Sequence, residues 1–306
     1  MDSPLARMIL TVFGGYLLIL LGLVIYDWYR EEFPSPPEKP QHIDPVQHPY
    51  YHTEALNVLK HYSGLPEAER IHIKHHLEQN LLSIEQWITE LERSDYTIIC
   101  LGEFHDESTR QFLAEEFFSS FTVDVLHLEA NPKELRRLSR KMEAGREYFP
   151  LLEADIITIL RAVRARNPHI IIRGIEETAQ QEKLGKGRTR DCSLAENFWK
   201  RFHPEATNII LFGAAHCSND PHWLYGRLRS QALPSLDARM LNVRILGEHQ
   251  SGPIEGFVFF LDEIGVTVED FVLSDTGSLY PHIHEWFSTL RQQILEKFQA
   301  LVVFRS

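Results

Sequence analysis

Residues 97–106 read TIICLGEFHD, a short apolar run closed by a glycine and then by glutamate, phenylalanine, histidine and aspartate. Thr97–Leu101 has the length and β-branched content of a buried strand, and polar residues begin where Gly102 ends it. The same order recurs three times downstream. Residues 123–131 (VDVLHLEAN) end on Glu129, 169–177 (HIIIRGIEE) end on Glu176 and Glu177, and 208–216 (NIILFGAAH) end on His216. Helical patterns lie between them: Phe112, Leu113 and Phe117; a start at Pro132, its natural first position; Ile156, Ile157, Leu160 and Val163; and Leu194, Phe198 and Phe202 in a helix from Arg190 to Phe202. Strands alternating with helices predict an α/β fold, a mostly parallel sheet flanked by helices.

Working outward, Ile84, Trp87, Ile88 and Leu91 mark a helix opened by Ser83 before this unit. After it, Asn242–Leu246, Phe257–Leu261 and Phe271–Leu273 read as strands joined by short turns, which predicts an antiparallel edge. Trp286, Leu290, Ile294 and Phe298 predict one closing helix.

The amino-terminal side is of another kind. From Met8 to Tyr26 the chain reads MILTVFGGYLLILLGLVIY, without a charge. An uncharged apolar run of about 20 residues spans a bilayer as a helix, and Tyr26, Trp28 and Tyr29 suit the interface. No small-x-small cleavage site follows, which favours an anchor over a removed signal. Lys and Arg counts on the two sides nearly balance; Arg7 and the amino terminus favour a single-pass orientation with the domain outside the cytoplasm. Residues 31–52 carry six prolines, at 34, 36, 37, 40, 45 and 49, and predict a semi-rigid spacer. The expected organisation is an anchor over 1–30, a linker over 31–52 and an α/β domain over 53–306.

The 306 residues carry a formal charge of −12, which argues against a nucleic-acid surface, since that would need a basic stripe. Three cysteines are too few for a disulfide framework; Cys192 with Cys217 is the pair an oxidising compartment would allow, leaving Cys100 over.

In a parallel sheet the functional crevice lies beyond the carboxyl ends of the strands. Those ends deliver Glu103, His105, Glu129, Glu176 and His216 to one edge, the convergence of acids and imidazoles that catalysis needs. Each also has a plain reading: carboxylates favour helix amino termini, which accounts for Glu103, Glu129, Glu176 and Glu177 as dipole charges. Cys217 beside His216 is either a nucleophile or incidental. His72, His75 and His76 share a helix face that could hold a metal or simply face solvent, as could His282 and His284. Residues 183–190 (KLGKGRTR) read equally as an anion-binding loop and as a solvated turn.

These residues, with 190–197 (RDCSLAEN), resemble in order and type the superfamily that joins erythromycin esterases, ChaN-like haem-binding proteins and Tiki/TraB proteins, over about Thr97 to Asp220. Gly-x-x-His occurs twice, at Gly102–His105 and Gly213–His216, as in the Tiki metalloproteases; Leu194 stands where methionine is common. Resemblance to the esterases implies that Glu103 and His105 activate water without a metal. Resemblance to the Tiki branch implies a divalent metal on His105 and His216; with Glu129 added, a histidine and carboxylate set without cysteine suits zinc, manganese or a similar ion. Resemblance to the ChaN branch implies haem on a histidine or on a tyrosine such as Tyr148 or Tyr280, although the lipoprotein cysteine of that branch is missing here. The leading expectation is a hydrolase acting on an ester or peptide bond of a small molecule or peptide. In it Glu103 or His105 serves as base, Arg190 steadies developing negative charge, and His216, Glu129 and Glu176 complete the site. A haem- or metal-binding protein without turnover is the alternative from another class, and a scaffold that lacks catalysis is a third.

Overall fold

The computed structural model describes residues 49–145, 151–184, 189–266, 268–279 and 281–305. The chain divides into two compact units, Met1–Pro49 and Tyr50–Ser306, and nearly everything described belongs to the second. The expected anchor, most of the linker, Tyr148, Tyr280 and residues 185–188 of the basic segment lie outside the described residues. Among the described residues no helix is long and apolar enough to cross a membrane.

In chain order the elements are α1 (Pro49–Gly64), α2 (Glu67–Asn80), β1 (Leu81–Leu82), α3 (Ile84–Arg93), β2 (Ile98–Glu103), α4 (Glu107–Phe112), β3 (Val125–Leu128), α5 (Pro132–Glu143), α6 (Leu151–Arg166), β4 (Ile171–Gly174), α7 (Ala179–Leu184), α8 (Arg190–Trp199), β5 (Asn208–Gly213), α9 (Leu224–Gln231), α10 (Pro234–Asp237), β6 (Met240–Gly247), α11 (Gly252–Glu263), β7 (Phe271–Leu273), α12 (Pro281–Trp286), α13 (Ser288–Leu290) and β8 (Ala300–Phe304). A wider helical turn prolongs α4 from Leu113 to Phe117. The eight strands form one sheet in the order β1-β7-β8-β6-β2-β5-β3-β4. The six strands from β8 to β4 are mutually parallel, and β7 runs antiparallel to both β8 and β1. The α/β architecture agrees with the sequence, and an antiparallel edge exists, but of its expected strands only Phe271–Leu273 belongs to it: Asn242–Leu246 lies in β6, parallel to β2 and β8.

Alternation along each strand divides the core between the two faces. On β2, Ile98 and Cys100 pack with Leu194, Phe198 and Tyr225 on one side, while Ile99 and Leu101 pack with Trp87, Phe117 and Leu160 on the other. Local signals fix the helices. Ser83 and Gln86 form a reciprocal cap that starts α3, each side chain bonding the other's backbone N–H.

Three other expectations fail. Phe257–Leu261 is helical, inside α11. Ile254, Phe257, Val258 and Leu261 are buried at helical spacing, and Pro253 in the first turn starts the helix; a run apolar all round hides that period. The closing helix is not continuous. It breaks at Phe287, and a last strand, β8, follows it and pairs parallel with β6. The cysteine pairing also differs: Cys100 and Cys217 form the disulfide, and Cys192 is free. Cys100 on β2 and Cys217 in the turn after β5 lie on the same side of the sheet, whereas Cys192 sits on α8. A bonded sulfur removes the reading of Cys217 as nucleophile.

Candidate active site

The carboxyl ends of β2, β5, β3 and β4 are adjacent and in register, with Glu103 opposite Gly213, and Leu128 opposite both Leu211 and Gly174. Every expected site residue therefore falls at one edge, and all six (Glu103, His105, Glu129, Glu176, Arg190 and His216), with Asp191 and Arg110, make one hydrogen-bonded network. His105 is its centre. Its backbone has φ 57°, the left-handed region, and it is the one non-glycine described residue with positive φ. Asp106 follows as the cap of α4, accepting from the Thr109 backbone N–H at 2.8 Å, so the chain must reverse sharply at His105.

The turn sets the imidazole between two carboxylates. Nδ1 lies 3.0 Å from Glu103 Oε1, and Nε2 lies 3.1 Å from Glu129 Oε2. Bonds to Glu103 first and Glu129 second outweigh burial and raise the His105 pKa to about 9, so the ring is protonated at neutral pH and donates from both nitrogens. Arg110 Nε donates to Glu103 at 3.2 Å, and its Nη2 stands 3.0 Å from His105 Nδ1, two cations held by one buried carboxylate. Glu103 is 3% exposed; the Glu129 side chain, at 21%, is the carboxylate that solvent reaches.

Burial opposes ionisation of Glu129. Hydrogen bonds from His105, from Arg190 at 2.5 Å and from the Gly213 backbone N–H at 3.1 Å prevail and hold the acid well below the usual carboxylate range. Arg190 is the second hub. Its Nε donates to Glu176 Oε1 at 2.9 Å, Nη2 donates to Glu176 Oε2 and to Glu129, and Nη1 donates to His216 Nε2 at 3.0 Å. The bonds to Glu176, then to Glu129, raise the guanidinium pKa further above its ordinary value. His216 therefore accepts at Nε2 and donates from Nδ1 to Asp191 Oδ1 at 2.6 Å, which fixes its tautomer from the network.

Helix α8 organises this half. Arg190 and Asp191 sit in its first turn, Ser193 donates to Glu177 at 2.7 Å, and Asn197 Nδ2 donates to the carbonyls of Ile175 and Glu176. Each turn of the helix thus grips the chain leaving β4. Asp191 stood inside the recognised motif without a role, and Arg110 escaped sequence reasoning. A carboxylate buried at a strand end needs a cation, and the first turns of the next helix are where one would be sought.

The fit to a metal is poor. Among the described residues no group of three or more His, Cys, Asp and Glu side chains could hold an ion. The Arg190 guanidinium lies where a cation would have to bridge His216 and Glu129, and His105 Nε2 is turned to a carboxylate. The same commitments leave neither imidazole a free Nε2 for haem iron. Of the other histidines, His75 bonds Gln79 at 2.8 Å on α2, whose buried face belongs to Ile73 and Leu77. His127, fully buried on β3, bonds Asn208 Oδ1 at 3.2 Å, and burial pushes its pKa down to about 4, a neutral core histidine.

No protein-family model and no curated protein matches the sequence. Among solved structures, a Bacillus cereus protein aligns over 76% of this chain and 97% of its own, with 11% identity and a TM-score of 0.50. A MARTX toxin effector domain from Vibrio vulnificus aligns over 73% of this chain and 51% of its own, with 12% identity and a TM-score of 0.36. The chain spans about half of that toxin structure. The likeness to the Bacillus protein is one of fold.

Proposed function

We propose that the chain is a hydrolase of ester or peptide bonds, tethered to a membrane by its apolar amino-terminal run and working on the side away from the cytoplasm. The observation that carries the reading is His105: an imidazole in a left-handed backbone conformation, clamped by two carboxylates beyond the strand ends. Strained backbone and paired titratable groups with opposed pKa shifts concentrate where chemistry is done. The Cys100–Cys217 disulfide supports the compartment, since such bonds persist outside the reducing cytosol.

In this reading His105 starts as the acid, in place of the base that the sequence suggested. Glu129, the reachable carboxylate, takes a proton from water as the hydroxide oxygen bonds the carbonyl carbon. His105 Nε2 gives its proton to the leaving oxygen or nitrogen as the bond to that atom breaks. The proton on Glu129 then returns to His105 across 3.1 Å, and both groups are restored. A carboxylate held so low is a weak base alone; its neighbour, raised to about 9, gives the proton a resting place. Arg190 has five N–H donors, of which the contacts above engage four, and the fifth on Nη1 can meet negative charge on the tetrahedral oxygen.

The test is a panel of activated esters and peptides offered to the full-length protein in detergent micelles, beside His105→Ala. Turnover that falls on substitution supports the reading; a silent wild type, or equal rates, sinks it.

A further inference from the structure

Beside β2, β6 carries an arginine that nothing in the catalytic scheme uses. Arg244 pairs across the ladder with Gly102, one residue before Glu103, so it sits at the same sheet edge. Its residue is 8% exposed, and its Nη1 is buried without a hydrogen-bond partner. No carboxylate faces it among the described residues. Two rings stand over it: the Phe104 ring centre is 4.3 Å from Cζ, and that of Phe298 is 6.0 Å away. Burial lowers its pKa to about 10, with no anion to hold it up. A buried guanidinium without a counter-ion is costly, and a fold keeps one where an anion comes and goes.

The surroundings are built to suit. Arg244 lines a cavity of about 430 Å³ together with Phe104, Ser218, Ser251, Lys297 and Phe298. Ser251 and Gly252 open the 12-residue helix α11, and the Ser251 side chain makes no cap hydrogen bond. A helix amino terminus, two cations and two hydroxyls offer more donors than the two oxygens of a carboxylate can take, and they match a phosphoryl group. The volume exceeds what bare phosphate needs, and the rings of Phe104 and Phe298 offer an apolar wall to the rest of the molecule.

We propose that this cavity is a phosphoryl subsite, in which Arg244 and Lys297 hold the anionic end of an organic phosphate whose scissile bond lies over His105 and Glu129. As a binding site it stands by itself; as the seat of one end of the substrate it rests on the hydrolase reading above.

The experiment is calorimetric titration of the full-length protein in micelles with inorganic phosphate, at constant ionic strength set by chloride. Saturable binding is expected in the wild type and in His105→Ala. Arg244→Met should weaken it at least tenfold, Arg244→Lys by an intermediate factor and Lys297→Ala severalfold. On paired esters with and without a phosphoryl group, Arg244→Met should cut the kcat/KM ratio for phosphorylated over neutral substrate about tenfold. Absence of binding in the wild type, or equal binding by Arg244→Met, overturns the subsite. Should Arg244→Met fail to fold, the order wild type, Arg244→Lys, Lys297→Ala decides by the same criterion. Binding that follows Arg244 without hydrolysis of any ester or peptide keeps the subsite and removes the hydrolase. Hydrolysis that depends on His105 with no effect of Arg244 does the reverse.

Discussion

His105 Nε2 and Glu129 Oε2 stand 3.1 Å apart although they leave strands that are not neighbours. β5 runs between β2 and β3, and it ends there on Gly213. A Cβ at Gly213 would lie 2.8 Å from His105 Nε2 and 3.7 Å from Glu129 Oε2. The pair closes over the strand between because that strand ends without a side chain.

Gly213→Ala should therefore separate function from fold. The atom it meets is the tip of an imidazole that can swing aside, so the cost in stability should be about 1 kcal/mol or less. Turnover should fall about 100-fold or more as the pair is pried apart. Parallel urea titrations and kcat/KM measurements check both halves; a collapse in stability without a selective loss of rate would contradict this account.

The proposed role of His105 as proton donor carries its own magnitude. A positioned proton donor contributes typically about 10²–10⁴ in rate, so His105→Ala should lose that much kcat. In kcat/KM against pH, the wild type should decline above about pH 9, where the ring loses its proton. A rate that climbs through pH 9 would make His105 the base.

Stability should respond to the same titration. The folded pKa of His105, about 9, exceeds the ordinary 6.5. The contribution is therefore complete below about pH 6.5 and disappears as pH rises through 9. The urea midpoint of the wild type should drop across that window, and His105→Gln should flatten the drop. Identical slopes in both proteins would show that the carboxylate clamp does not favour the imidazolium.

Backbone strain at His105 is measurable by comparing two variants that both lack the ring. Glycine takes φ 57° without penalty, whereas alanine does not. His105→Gly should be more stable than His105→Ala by about 1 kcal/mol, the reverse of the ordinary order. Calorimetry on the pair decides it.

Removing the buried charge of Arg244 should stabilise the protein while it impairs binding. Methionine keeps much of the volume and needs no counter-ion, so Arg244→Met should gain about 1–3 kcal/mol, less whatever the aromatic contacts contribute. A loss of stability would assign Arg244 to the structure.

Much of this was legible in the sequence, for identifiable reasons. Strands β2 to β5 each end abruptly where an apolar run meets Gly102, Glu129, Gly174 or Gly213, so the edge and its Glu and His residues could be read. What escaped depended on three-dimensional partners. Arg110 and Asp191 earn their places from a buried carboxylate and a ring tautomer, neither visible in spacing. Arg244, flanked by Val243 and Ile245, passed as an ordinary strand residue, because its lack of a hydrogen-bond partner at Nη1 shows only in the fold. The partner of Cys217 was misjudged because proximity across parallel strands leaves no trace in sequence separation, here 117 residues. The α11 helix was misread because residues 257–261 are all apolar, which hides the helical period that burial follows.

Gln250 joins the two halves of the edge. It accepts from the Gly247 backbone N–H at 2.8 Å beyond β6 and donates to Asp106 at 2.9 Å, beside His105, and it also lines the cavity of Arg244. The turn that aims the imidazole and the strand that carries Arg244 thus share one bracket. A change at Gln250 therefore reaches both places at once: it loosens the cap that seats His105 and reshapes the cavity wall beside Arg244, although the side chain belongs to neither.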